Sequence, residues 1–93
     1  MRVILVYDVA TDDTSDQRRL TKIRKIVRKY LIHVQKSVFE GDLTRSGLER
    51  LKTEVLAEAD RSRDSIILYV FDDRTRYDRY ILTDVEDPTD NMI

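Results

Sequence analysis

The chain has no cysteine, one histidine and one proline among its 93 residues. Without cysteine there is no disulfide frame, no thiolate metal site and no cysteine nucleophile. A single histidine excludes a multi-histidine zinc centre within one chain. No Gly-, Ser- or Pro-rich linker divides the sequence, and it carries no internal repeat or low-complexity tract. A single domain is therefore expected over residues 1–93, ending in a mobile tail from about residue 86. No apolar run is long enough to cross a bilayer and no signal-peptide core follows a basic start. These features predict a cytoplasmic protein with no membrane contact. A domain this small buries only about two-thirds of its unfolded surface, so oligomerisation is the expected remedy.

Charge of either sign is plentiful but unevenly spread. The formal net charge is −1. Between Arg18 and Lys29 stand seven basic residues (Arg18, Arg19, Lys22, Arg24, Lys25, Arg28, Lys29) and no acid. From Asp60 onward there are nine acids and five arginines. The local field therefore says more about partners than the total does.

The pattern of apolar residues gives the element order. Residues 2–8 form a short apolar run that reads as a buried strand. A polar loop follows over 9–15. Thr14 and Gln17 have capping-box spacing, with Asp16 suited to the positive end of a helix that runs to about Tyr30. Leu20, Ile23, Val27 and Tyr30 or Leu31 supply its apolar stripe. Residues 32–43 read as extended, with a phase break at Val38-Phe39 that predicts one kinked strand or two short ones. Ser46 and Glu49 form a second capping box, opening a helix to about Ala59 whose buried face is Leu48, Leu51, Val55 and Ala59. Asp64 to Phe71 reads as another buried strand, Asp72-Asp73-Arg74-Thr75 as a turn, and Tyr80-Ile81-Leu82 as a final strand. The order predicts an α+β sandwich of the ferredoxin-like class, two helices on a mostly antiparallel sheet, with an extra C-terminal strand. The opposite sheet face should be apolar and covered by a second copy of the chain.

Among residues able to carry chemistry, Asp8 comes first. A strand-end aspartate commonly just closes a loop. It can also hold Mg²⁺ or Mn²⁺, which needs only one or two carboxylates besides waters and phosphate oxygens. Asp12 and Asp13 read as solvated loop. The basic helix carries Lys22, Lys25 and Lys29 on one flank and Arg24 and Arg28 on another, with Arg18 and Arg19 at its start. An ordinary solvated face interleaves both signs, and like charges at i, i+4 oppose helix formation. Twelve residues without an acid therefore favour phosphate binding, along roughly 18 Å of helix. Tyr7, Phe39, Tyr69, Phe71 and Tyr77 read as core or dimer-interface residues rather than base-stacking platforms. His33 stands alone and reads as structural, or as a phosphate contact if it lies near a nucleic-acid groove.

Three blocks of the chain resemble the CRISPR-associated protein two family, the small subunit of the spacer-acquisition machinery. They are Val3-Ile4-Leu5-Val6-Tyr7-Asp8-Val9, the helix start Gln17-Arg18-Arg19-Leu20, and Val34-Gln35-Lys36-Ser37-Val38-Phe39-Glu40-Gly41-Asp42-Leu43. The strand beginning Asp64-Ser65-Ile66 also fits, so the resemblance covers about residues 1–72. It implies a ferredoxin-like homodimer that bridges dimers of the CRISPR integrase subunit and holds double-stranded DNA on basic surfaces as a scaffold. It also implies a metal-dependent endonuclease activity on RNA or DNA, described for some members. The family's metal ligand and catalytic residue falls on Asp8, with Mg²⁺ or Mn²⁺ as cofactor. Its arginines fall on Arg18 and Arg19, and its second-block Ser and Phe on Ser37 and Phe39; Tyr7 and Phe39 stand beside the site. His33 departs from the pattern, since related sequences often carry Arg there. Virulence-associated toxin ribonucleases share the fold and the strand-end Asp, which makes a toxin-type metal-dependent endoribonuclease the alternative.

Overall fold

A computed structural model describes residues 1–89. Its elements follow the order β1 (Arg2–Asp8), α1 (Thr14–Arg28), β2 (Ile32–Gln35), β3 (Val38–Asp42), α2 (Arg45–Glu58) and β4 (Ser65–Phe71). The strands form one sheet in the order β2-β3-β1-β4, and every neighbouring pair is antiparallel. Each helix thus connects two strands with a third inserted between them, the ferredoxin-like arrangement. β1 is central because it is apolar on both faces. Val3, Leu5 and Tyr7 are buried toward the helices, while Ile4 and Val6 lie on the other face, half covered.

The core between sheet and helices joins Val3, Leu5 and Phe39 to Ile23, Val27 and Leu31 of the α1 side and to Leu48, Leu51 and Val55 of α2. Burying each such side chain contributes roughly 1.5–3 kcal/mol. Gly41 of β3 lets the end of the α1 connection lie flat on the sheet. A Cβ there would sit 3.1 Å from Leu31 Cδ2.

Several boundaries differ from the sequence reading. Helix α1 is capped by Asp13, not by a Thr14–Gln17 box: the Asp13 side chain accepts from Asp16 N–H at 2.8 Å. Aspartate is the stronger N-cap, so the helix starts one residue earlier. Asp13 is accordingly no idle loop residue. The helix ends at Arg28, where the Lys29 and Tyr30 N–H groups turn back to Ile26 and Val27 carbonyls. Thr44 caps α2 through Gly47 N–H at 3.1 Å, displacing the Ser46–Glu49 box by two residues. Residues 32–43 are two strands, with a register shift between His33 and Gln35.

Strand β4 is not buried on both faces. It pairs only with β1 among the described residues, and Ile67, Tyr69 and Val70 are exposed. No extra C-terminal strand forms among the described residues: Tyr80-Ile81-Leu82 is irregular, and Tyr80 and Leu82 are largely exposed. A strand needs a neighbouring edge for its N–H and C=O groups, and this segment pairs with none among the described residues. The expected mobile tail falls partly on residues 90–93, outside the described residues. Its first part is pinned, because Arg79 binds Asp87 at 2.9 Å and Thr89 is buried. The same Arg79 reaches Glu40 of β3 at 3.2 Å, with Arg2 of β1 at 3.5 Å on the same carboxylate oxygen. Glu40 is buried on the sheet face opposite the helices. Tyr77 accepts from Arg2 Nε and its ring lies 5.2 Å from Phe71.

A second ionic cluster ties the elements together at the C-terminal end of β1. Arg19 donates to both oxygens of Asp64, at 2.7 and 2.9 Å, and to Asp16 at 2.8 Å. Arg63 binds Asp16 at 2.6 Å and Asp12 at 3.0 Å. Asp64 also accepts from the Ala10 and Asp60 N–H groups. The Arg63 guanidinium, with help from Arg19, holds the Asp16 carboxyl well below the usual carboxylate range. Arg19 does the same to Asp64. A depressed folded value means that the unfolded chain binds more protons in acid. The cluster's contribution is therefore complete above about pH 5 and is lost as pH falls toward the folded values. Asp64→Asn should lower the melting temperature at pH 7 and flatten its fall between about pH 5 and pH 2. Thermal melts across that range check this; an unchanged acid limb would show that Asp64 does not carry the dependence.

Candidate nucleic-acid and metal site

Asp8 is the last residue of β1, opposite Ser65 of β4, and it is exposed. Beside it lies a groove of about 440 Å³ lined by Tyr7, Asp8, Val9, Leu20, Arg24, His33, Lys36 and Ser37. The β2–β3 turn forms one wall of this groove and α1 the other. Strand pairing brings the turn into place: Tyr7 N–H donates to Ser37 C=O at 3.1 Å. Tyr7 OH then reaches Lys36 C=O at 3.4 Å, and Arg24 Nε reaches Tyr7 OH at 3.4 Å.

Phe39, with no exposed surface, is the floor beneath these groups. Its ring centroid lies 5.8 Å from that of Tyr7 and 4.6 Å from that of His33, the latter nearly parallel. Tyr7 lines the groove, and Phe39 packs against the rings of both Tyr7 and His33. The phase break legible in the sequence lies at Val38-Phe39, whereas the register shift falls between His33 and Gln35 of β2, and His33 and Lys36 both line the groove.

The Asp8 carboxylate makes no hydrogen bond or ion pair among the described residues, and the groove next to it carries the cations Arg24 and Lys36. An uncommitted carboxylate at a solvent-open rim is chemically suited to Mg²⁺ or Mn²⁺, which prefer oxygen donors and retain waters. Among the described residues no three His, Cys, Asp or Glu side chains cluster as a metal site. Asp8 fits such an ion only as one ligand of several, the rest being water, phosphate oxygens or a second Asp8.

The basic helix divides into two groups. Arg19 has only 13% of its side chain exposed and is committed to Asp16 and Asp64. Three of its five guanidinium N–H donors are used on these two acids, so it is part of the ionic cluster at the end of β1. Lys22 faces Glu58 at 3.5 Å and Lys29 faces Glu54 at 2.7 Å, both acids lying on α2. Glu54 and Glu58 are one helical turn apart, a spacing visible in the sequence whose partner helix was not. Arg18 and Lys25 are exposed and take no ion pair among the described residues. Arg24 leans into the groove, and Arg28 lies 3.3 Å from His33 Nδ1. The uncompensated positive surface is thus Arg18, Lys25, Arg24 and Arg28, continuous with Lys36. Ser37 lies on the groove wall, half-buried.

No helix among the described residues is long and apolar enough to cross a membrane. The family model described as CRISPR associated protein Cas2 matches residues 1–79. The CRISPR-associated endoribonuclease Cas2 2 of Moorella thermoacetica is 50% identical over 91 residues, covering 98% of this chain and 100% of that one. The CRISPR-associated endoribonuclease Cas2 of Methanocaldococcus jannaschii is 40% identical over 93 residues, 100% of this chain and 76% of its own. The crystal structure of Streptococcus pyogenes Cas2 is similar at a TM-score of 0.71 and 31% identity, over 80% of this chain and 89% of that chain. Another Cas2 crystal structure reaches 0.74 at 30% identity, over 94% and 88% respectively. The match runs through β1 and Asp8, the α1 start and the β2–β3 block that together build the groove, and the chain belongs to the CRISPR-associated protein Cas2 family.

Proposed function

We propose that this chain is a homodimeric, double-stranded-DNA-binding scaffold that works beside the CRISPR integrase during spacer acquisition. The supporting observation is the row of cations along α1 (Arg18, Arg24, Lys25 and Arg28) that no acid among the described residues pairs with, ending at a groove whose lining contains one carboxylate, Asp8. Such a row binds phosphates with little regard to sequence, through counterion release. Charge reversal at Lys22 or Lys29 would set like charges against Glu58 or Glu54, so the cleaner substitutions are elsewhere. Arg18→Glu combined with Lys25→Glu should weaken duplex DNA binding at least tenfold at low salt and reduce the salt slope by about two. The melting temperature should stay within a few degrees. Equal affinity for the two proteins in a salt titration would reject the role of the helix.

The dimer reading rests on Ile67 and Tyr69, exposed on the sheet face away from the helices, and on the outer edge of β4. Tyr80-Ile81-Leu82 is exposed and pairs with no strand of its own sheet among the described residues. In a dimer it would add to the β4 edge of the second copy, which supplies the neighbour that a strand requires. Two copies would present two basic helices to one duplex and two faces to integrase subunits. Sedimentation equilibrium at micromolar concentration should give twice the monomer mass. A monomer at that concentration would remove the dimer.

An enzymatic role has a specific observation in its favour, the exposed and uncommitted Asp8, and the Moorella and Methanocaldococcus relatives are both named as endoribonucleases. A toxin-type endoribonuclease would use the same groove. When bound, Mg²⁺ or Mn²⁺ held by Asp8 would supply Lewis-acid polarisation of a phosphodiester. Arg24 and Lys36 would seat the flanking phosphates, Ser37 would contribute a hydroxyl on the wall, and Tyr7 and Phe39 would fix the walls' spacing. Asn in place of Asp8 keeps the shape and removes the charge. Asp8→Asn should therefore abolish Mg²⁺- or Mn²⁺-dependent cleavage while duplex binding persists, since that rests on arginine and lysine. With scaffolding as the main role, the same variant should still support spacer acquisition in cells. Loss of acquisition by a folded, dimeric, DNA-binding Asp8→Asn protein would overturn that order of roles.

A further inference from the structure

His33 is held on three sides. Its ring stacks on Phe39 with 18° between planes. Nε2 lies 2.6 Å from Lys36 C=O, and Nδ1 lies 3.3 Å from Arg28 Nη2. A carbonyl oxygen only accepts, so Nε2 carries the proton. A guanidinium only donates, so Nδ1 must offer its lone pair. Both neighbours select the same neutral tautomer. The bulge between His33 and Gln35 turns the ring into this position.

We infer that His33 is a positioning residue: it staples the Lys36–Ser37 turn and tethers Arg28 at the rim of the Asp8 groove. The inference rests on the nucleic-acid reading above and refines it. The turn is one wall of the groove, and its Lys36 carbonyl is gripped by His33 and by Tyr7 OH together. The charged and titratable groups facing the ring are Arg28 and Arg24 on α1, Lys36 on the turn, and Tyr7 and Asp8 on β1. Protonating Nδ1 would place an N–H against the Arg28 donors and add a like charge beside them. The Nε2–H bond to Lys36 C=O would survive. Acid would therefore leave the turn stapled but free the Arg28 guanidinium, which then becomes a phosphate ligand beside a second new cation. Histidine is the side-chain type that changes charge between pH 5 and 8, and this chain has one histidine and no cysteine. Affinity for a polyanion should rise as pH falls through that range.

The test has an arm with nucleic acid and an arm without it. In the full chain alone, two-bond ¹⁵N correlation of the single imidazole should show the Nε2–H tautomer at pH 8. The Arg28 side-chain resonance should move with the same midpoint as the ring. An Nδ1–H tautomer, or an Arg28 signal indifferent to the ring, would overturn the tether. With a duplex DNA at fixed ionic strength, binding should strengthen about threefold to fivefold from pH 8 to pH 6, as one exposed charge pair allows. His33→Gln should flatten that change, and Arg28→Gln should reduce it while leaving the imidazole titration in place. Circular dichroism shows whether either variant stays folded. A pH response undiminished in both variants would refute the role. Absence of DNA binding by the wild-type chain at both pH values would remove the nucleic-acid reading alone, and the ¹⁵N arm would still decide the tether.

Discussion

Arg19 is shared between Asp16 and Asp64, and most of the architecture near the groove depends on that one guanidinium. Asp64 sits at the entry to β4, and Asp16 in the first turn of α1. Asp64 also holds the Ala10 N–H, just past the end of β1. One side chain therefore fixes where the central strand ends, where the basic helix begins and where the edge strand enters the sheet. Both carboxylates are nearly inaccessible to water, so each requires a cation close by. Arg63 completes the set from the α2–β4 connection. The rigid base this makes is what allows Asp8, two residues before Ala10, to stay exposed without its backbone wandering.

The same helix performs two jobs along its length. Its first turn is locked inward through Asp13, Asp16 and Arg19. Its middle and end carry charge outward through Arg18, Lys25, Arg24 and Arg28. Lys22 and Lys29 sit between, steadied by Glu58 and Glu54 of α2. These inter-helix pairs lie at the surface, where solvent and salt screen them. Their main effect is on the field: they cancel two charges of seven and concentrate the remainder toward the groove side.

The element order, the buried stripe Ile23-Val27-Leu31 and the core face Leu48-Leu51-Val55 were legible because periodic apolar residues report burial directly. Asp8 at a strand end was legible for the same reason. The caps were not: Thr14–Gln17 and Ser46–Glu49 have valid spacing, but Asp13 and Thr44 stand one or two residues upstream and take the N–H groups of Asp16 and Gly47 instead. Arg19 read as a phosphate contact because its two acids lie 3 and 45 residues away in sequence. Local charge counting sees the first but cannot see the second. The strand expected at Tyr80-Ile81-Leu82 has the right residues, but a strand also requires an edge, and the edge is a property of tertiary and quaternary structure rather than of the segment.

Glu40 gives the uncovered sheet face a selective character. It is a buried acid between its register partners Ile4 and Ile32, and its Oε1 lies within ion-pair reach of Arg2 and Arg79 but outside hydrogen-bond geometry with either. An apolar face alone accepts any greasy segment in any register. With a carboxylate at its centre that Arg2 of the sheet already faces, a segment that brings a second cation to that spot, as Arg79 does, gains a partner that a purely apolar cover lacks. The face thus favours a cover with a cation at one position over one that is merely hydrophobic. A segment that passes this filter from its own chain would pass it equally from another, since the lock tests where the cation sits and not which chain it came from.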